Sequence, residues 1–318
     1  MSKNRETLEG KEADIITFAE SDKGLNMRLY PVQKVILKMF YGLPLDGKEK
    51  SVKLPNETNT ETIGEFTEQE FLQYLIDTGR TNVVSYSEGY HPAELLLNVG
   101  RRGLKSGTEG VICGYELYRL MHKKNPQMFY GLPNDEEISM CSVSCNREMA
   151  LTFKDMVLND CIPFSWFGGR VASKRVGSFT LKTDRDTDVR FVSDSYKSHS
   201  VYGCSNIVVV MDEAAFFKDG RSVYERLAPS LVRFTQKDAD MKPVGDGDGR
   251  IVMASTPFRK KGVFYEKYVE SFSEPDRTLM FDMYSTMLNP MIDSNFLKSV
   301  KKGNPQRFLN EFEAVFMD

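Results

Sequence analysis

The residues with the strongest chemical potential lie in four short stretches, three of which could act on a phosphate and one on a base. "NVGRRGLKSGTEG" (Asn98–Gly110) combines glycines, two arginines, a lysine and a hydroxyl. Holding a phosphate chain takes backbone N–H groups curled round the anion at a helix N-terminus, an ammonium for charge and a hydroxyl for Mg2+. Gly100, Gly103 and Gly107 can supply the curl, Lys105 the charge and Ser106 the hydroxyl, with Arg101 and Arg102 beside them. Against the pattern G-x-x-x-x-G-K-[ST], Val99 replaces the first glycine and Leu104 the second, so Gly103 is expected to move the bend by one residue. A surface turn rich in Gly and Arg is the competing reading. The glycines do not follow G-x-G-x-x-G, which disfavours a dinucleotide oxidoreductase. "IVVVMDEAAFF" brings Asp212 and Glu213 to the end of an apolar run, where one acid can hold the Mg2+ shell and the other polarise a water. "MASTPF" places the Ser255 and Thr256 hydroxyls after a similar run. Gln33, behind Tyr30-Pro31, offers an amide able to pair with an adenine edge.

The elements that must position these residues can be read from periodicity. Pro31 opens an amphipathic helix with Val32, Val35, Ile36 and Phe40 on one face, stopped by Gly42. Thr67 and Glu70 form a capping box for a helix over "TEQEFLQYLIDTG". From Ala93 the chain alternates: strand "AELLLNV", glycine loop, helix "GVICGYELYRLMHKK", strand "EISMCSVS", helix "NREMALTFKDMVLN". "SNIVVVMDE" and "GRIVMAST" are too apolar to expose either face, as central parallel strands are. "GSFTLKT" and "DVRFVSD" alternate like strands nearer an edge or in a hairpin. This grammar predicts an α/β fold with a mainly parallel sheet. Residues 1–25 read as a flexible arm and residues 45–65 as a polar surface excursion. The core spans 26–268, and 269–318 form a small helical lid or linker subdomain, with helices expected around Phe264–Phe272 and Asn295–Met317.

Composition narrows the function classes. The chain has 318 residues, 41% hydrophobic and 27% charged, with a formal net charge of −3, which argues against coating nucleic acid by bulk positive charge. Local basic turns remain at "RVASKR", "FRKKG" and "SVKKGN". No apolar run is long enough to span a bilayer. Five scattered cysteines without a C-x-x-C pair and three histidines do not give a zinc site of the usual spacing, so a reduced, intracellular protein with Mg2+ as its metal is expected.

In order and spacing, Tyr-Pro-x-Gln, G-R-R-x-x-K-S, the strand ending in Asp-Glu-Ala and Ala-Ser-Thr-Pro resemble the motifs of the large terminase subunits of tailed bacteriophages, ATPases that pump DNA into procapsids. The resemblance runs from about residue 28 to the end. It implies a three-layer P-loop NTPase fold of the RecA/ASCE type, with Gln33 on adenine and Gly100, Gly103, Lys105 and Ser106 around ATP. It implies Ser106 and Asp212 on Mg2+, Glu213 as the catalytic carboxylate and Ala254, Ser255 and Thr256 as the coupling motif. Implied partners are double-stranded DNA held by its backbone, the portal protein, the small terminase subunit and further copies in a ring, in the host cell cytoplasm. Two departures stand out. Leu104 takes the place of a glycine, and Tyr202 precedes Gly203 where the family often carries an arginine finger. The finger is then Arg101 or Arg102 in cis, or Arg190 or a later arginine in trans. The chain stops at Asp318, where the family's nuclease domain is expected to begin, so no DNA cleavage is expected of it. A helicase-like repair translocase and a non-hydrolysing nucleic-acid scaffold with a decayed P-loop are the alternatives.

Overall fold

The computed structural model describes residues 12–48, 50–55, 62–238, 240–245 and 247–318. In chain order the helices and strands are α1 (Ile15–Glu20), α2 (Pro31–Phe40), β1 (Val52–Pro55), β2 (Thr62–Phe66), α3 (Glu68–Asp77), β3 (Glu94–Val99), α4 (Lys105–His122), α5 (Pro126–Tyr130), β4 (Ile138–Ser144) and α6 (Arg147–Asp160). They continue through α7 (Phe164–Phe167), β5 (Val171–Arg175), β6 (Ser178–Lys182), β7 (Asp188–Ser195), β8 (Ser205–Asp212), α8 (Gly220–Leu227), β9 (Arg250–Ser255), α9 (Val263–Ser271), β10 (Thr278–Met283), α10 (Ser285–Leu288), α11 (Ser294–Gly303) and α12 (Pro305–Glu311). The fold is α/β, a mainly parallel sheet flanked by helices, as the alternation of apolar strands and amphipathic helices requires.

The chain forms two compact units. One contains the residues up to Leu29, Glu109–Val210 and Glu225–Ile251; the other contains Tyr30–Thr108, Met211–Tyr224 and Val252–Asp318. In the first, β4 pairs in parallel with β7, and β7, β6 and β5 continue as antiparallel neighbours. Its apolar faces meet in a layer where Phe179 stacks on Phe191 at 5.1 Å and Phe153 lies against Phe191. Where a flexible arm is expected, residues 15–20 form α1, capped by the Asp14 carboxylate, which accepts the Ile16 and Thr17 N–H groups. Phe18 is fully buried against the Tyr115 and Tyr118 rings, and that burial orders the segment. Residues 1–11 of the expected arm lie outside the described residues.

In the second unit β3 is buried along its whole length and pairs in parallel with β10, Leu95 opposite Leu279 and Leu97 opposite Phe281. β10 falls within the segment expected to be a helical lid. Its run "TLMFDM" is buried like a core strand, and only α10, α11 and α12 after it are helical. The polar excursion holds an antiparallel pair, β1 with β2, because Val52 and Leu54 alternate inward; residues 56–61 lie outside the described residues. The Thr67–Glu70 capping box of α3 forms as the sequence predicts. Among the described residues no helix is long and apolar enough to cross a membrane. All five cysteines are free, and burial pushes the Cys113, Cys141 and Cys161 thiols up, Cys161 to about 12, which leaves these three as packing groups rather than nucleophiles.

Candidate nucleotide site

The second unit gathers the motif residues. β3 ends at Val99, the loop 100–104 follows, and Lys105 opens α4, giving a strand, a tight loop and a helix N-terminus. The bend does not move to Gly103. Leu104 itself adopts a left-handed conformation (φ 58°), and so does Arg102 (φ 64°), whereas Gly100, Gly103 and Gly107 are not among the positive-φ residues. A leucine there costs about 1–2 kcal/mol, so the surroundings must hold it in place. Thr108 does so: its backbone N–H and its hydroxyl both donate to the Leu104 carbonyl, each at 3.1 Å. The glycines serve close approach instead. A Cβ on Gly100 would stand 2.6 Å from the Phe312 carbonyl oxygen, and one on Gly103 would collide with Val99.

Four motif residues converge. The Lys105 side chain is only 7% exposed; its Nζ donates to Thr256 Oγ1 at 3.0 Å and lies 3.4 Å from Glu213 Oε1. Glu213 sits past the end of β8 in a left-handed conformation (φ 55°), which turns its carboxylate back toward β9. There Oε2 accepts the Thr256 N–H at 3.1 Å and lies 3.1 Å from the Ser255 hydroxyl, which in turn accepts the Ala215 N–H. Lys105, Glu213, Ser255 and Thr256 thus form one polar cluster. Asp212 ends β8 almost fully buried, and Ala254 lies within β9.

Gln33 is buried in the first turn of α2. Its Oε1 accepts the Tyr30 N–H at 3.0 Å, and its Nε2 donates to Thr108 Oγ1 at 3.1 Å. The second N–H of that amide has no partner among the described residues. Thr108 therefore links Gln33 to the strained Leu104, a role that no motif announces. Arg101 and Arg102 do not join the cluster. Arg101 is 53% exposed and pairs with Glu311 at 3.4 Å, while exposed Arg102 gives its carbonyl to Asn289 Nδ2 at 2.9 Å. Of the trans arginine candidates, Arg190 pairs with Glu137 at 3.5 Å.

The C-terminal residues embrace the loop through contacts that no sequence motif announces. Gly100 N–H donates to the Met283 carbonyl and Arg101 N–H to that of Glu311, while Asn98 Nδ2 donates to the Ala314 carbonyl at 2.9 Å. The same segment holds the chain beyond Thr256: Asn310 Nδ2 donates to the Pro257 carbonyl and Met317 N–H to that of Phe258, both at 2.9 Å. Asn98 also donates to Asp282, whose carboxyl is pushed by burial up to about 6, against the pull of Arg80, Tyr268 and Asn98 itself.

The donor set suits a nucleoside triphosphate with Mg2+. It provides an ammonium and a hydroxyl (Lys105, Ser106) at a helix N-terminus, a buried carboxylate (Asp212) and a curled backbone. No group of three or more metal-ligating His, Cys, Asp or Glu side chains occurs among the described residues.

The family model described as "Uncharacterized protein MJ0330, N-terminal P-loop domain" matches residues 2–313. Among solved structures, the Thermus phage P74-26 large terminase ATPase domain is 18% identical, with TM-score 0.51, covering 72% of this chain and 91% of that one. The HK97 bacteriophage large terminase is 12% identical, with TM-score 0.52, covering 89% of this chain and 55% of that one. The shared property is the fold. No curated protein matches the chain.

Proposed function

The chain belongs to the family of the MJ0330 N-terminal P-loop domain, and from that premise we propose that it is an ATP-hydrolysing motor of the terminase type, which translocates double-stranded DNA into a procapsid. The observation that carries this reading is the direct contact of Lys105 with both Glu213 and Thr256. Lys105 and Glu213 neutralise each other. A γ-phosphate entering the loop competes for Lys105, freeing Glu213 to orient the attacking water. Because Glu213 also accepts the Ser255 and Thr256 donors, its release is felt at once by the chain beyond β9. Ser255 and Thr256 are in this way the coupling residues, with buried Ala254 preceding them in β9. Ser106 and Asp212 would hold Mg2+, which when bound supplies charge neutralisation at the β- and γ-phosphates. Gln33 would use its remaining N–H on the adenine edge. Arg102, exposed on the loop, is the cis candidate for stabilising the transferring phosphoryl group; Arg101 has first to leave Glu311.

DNA would be gripped by its backbone, without base readout. Portal protein, small terminase subunit and further copies in a ring would be its partners, in the cytoplasm of the host. The test is turnover of the chain beside Lys105→Ala and Glu213→Gln, with and without DNA. Lys105→Ala should lose nucleotide affinity. Glu213→Gln should bind ATP but turn over about 10²–10⁴-fold more slowly. Turnover retained in both variants sinks the assignment.

A further inference from the structure

We propose that a cleft in the first unit is a docking site for the phosphodiester backbone of duplex DNA. The choice of polymer rests on the motor reading above; the chemistry rests on the cleft itself. The cleft, of 580 Å³, is lined by Lys123, Lys124 and Asn125 from the link between α4 and α5, by Asn134, and by Arg185 and Thr187 from the β6–β7 turn, with no acid among its described lining residues. Three cations and three neutral hydrogen-bonding side chains suit phosphate oxygens and carry no base code. Met128, 75% exposed at the rim, adds an apolar surface for a sugar.

Of the nearby acids, Asp248 pairs with the cleft's own Lys123, and three others are engaged away from it. Asp184 pairs with Arg170 at 2.7 Å, Asp188 with Lys182 at 2.7 Å, and Glu136 with Arg233. Lys124 and Arg185 are exposed and form no ion pair among the described residues. Such cations shed counterions when they meet a polyanion, and this drives backbone binding.

The site is also built rather than accidental. The Lys123 ammonium is fixed 3.4 Å from Asp248 and 3.9 Å above the Phe129 ring, so its charge is largely offset by Asp248 and the exposed cations Lys124 and Arg185 carry the attraction. Lys124 adopts a left-handed conformation (φ 53°) just past the end of α4, a geometry that commonly terminates a helix. Across the cleft, Thr187 Oγ1 donates to Gln127 Oε1 at 2.7 Å, and fully buried Gln127 donates onward to the Glu136 carbonyl at 3.1 Å. That network ties the turn bearing Arg185 to α5, so the two walls keep their spacing before any ligand arrives.

The experiment is fluorescence anisotropy of the full chain with a 30-base-pair duplex across a salt series. It compares the parent with Lys124→Gln/Arg185→Gln and Lys124→Glu/Arg185→Glu, with inorganic tripolyphosphate as competitor. Loss of two phosphate contacts should lower the log–log salt slope by about 1.8 and weaken binding about 60-fold at 0.1 M salt, more for the acidic pair. ATP turnover without DNA should be unchanged, because neither residue belongs to the nucleotide site. Unchanged affinity and slope in both variants, or no duplex binding by the parent at low salt, overturns the proposal. So does a variant that loses tripolyphosphate binding yet keeps duplex binding, which would mark a small-anion site. DNA binding that weakens as expected in a chain without ATP turnover sinks the motor reading and leaves the cleft standing.

Discussion

Leu104 provides the sharpest test of the nucleotide loop, because a leucine at φ 58° must be held against its own preference. Replacing it by glycine relieves about 1–2 kcal/mol of left-handed strain. The gain is offset by about 0.5–1 kcal/mol of added freedom in the unfolded chain and by about 1 kcal/mol for the half-buried isobutyl group. Leu104→Gly should therefore leave global stability within about 1 kcal/mol of the parent. Leu104→Ile keeps the apolar area but places the branch at Cβ, where left-handed backbone crowds it, adding about 1–2 kcal/mol. If that strain is expressed when the loop closes on nucleotide, ATP affinity should fall about 5- to 30-fold in Leu104→Ile and hold or improve in Leu104→Gly. Thr108→Val, which removes the hydroxyl that clamps the Leu104 carbonyl, should weaken ATP binding in the parent and do so less in the Leu104→Gly background. Titration with a fluorescent ATP analogue, beside urea unfolding, reads both quantities. An isoleucine variant that binds ATP as well as the parent would refute the reasoning, since the left-handed bend would then carry no functional cost.

Two further outcomes follow from burial. Asp282 has its carboxyl raised from 3.8 to about 6, so between those values the folded chain binds more protons than the unfolded one. Its contribution to stability is full below pH 3.8 and lost as pH rises through 6, a change of about 3 kcal/mol. Asp282→Asn should flatten this fall in urea-unfolding free energies between pH 4 and pH 7.5; an unaltered pH profile counts against the burial argument. Phe18→Ala empties a site between the Tyr115 and Tyr118 rings and should cost about 3–5 kcal/mol, whereas a freely moving arm would lose almost nothing in the same measurement.

The parts of the fold that could be read in advance are those where side chains carry the period. β3, β8 and β9 announce themselves as apolar runs, and α2 and α3 by spacing and caps. Lys105, Glu213, Ser255 and Thr256 could be paired in advance because strands ending at the same edge of a parallel sheet bring their following residues together. What escaped is β10, a six-residue apolar run short enough to pass for part of a helix, and α1, whose single buried aromatic gives no periodic signal. The bend at Leu104 escaped for a related reason. Propensity favours Gly103 for a left-handed residue, but Gly103 is needed for its lack of a Cβ against Val99, so the strain falls on its neighbour.

The terminal segment escaped for a deeper reason. It holds the nucleotide loop largely through main-chain carbonyls, those of Met283, Glu311 and Ala314, and a carbonyl acceptor leaves no mark in a sequence. Yet it ties Asn98–Arg101 and Pro257–Phe258 to one stretch of chain, while Lys105, Glu213 and Thr256 tie the same two regions together through side chains. A change of partner at Lys105 loosens one set of ties and leaves the other intact. In the motor proposed above, such an arrangement would convert a local exchange of hydrogen bonds into movement of a whole segment, because packed elements held at two points shift as units rather than deform.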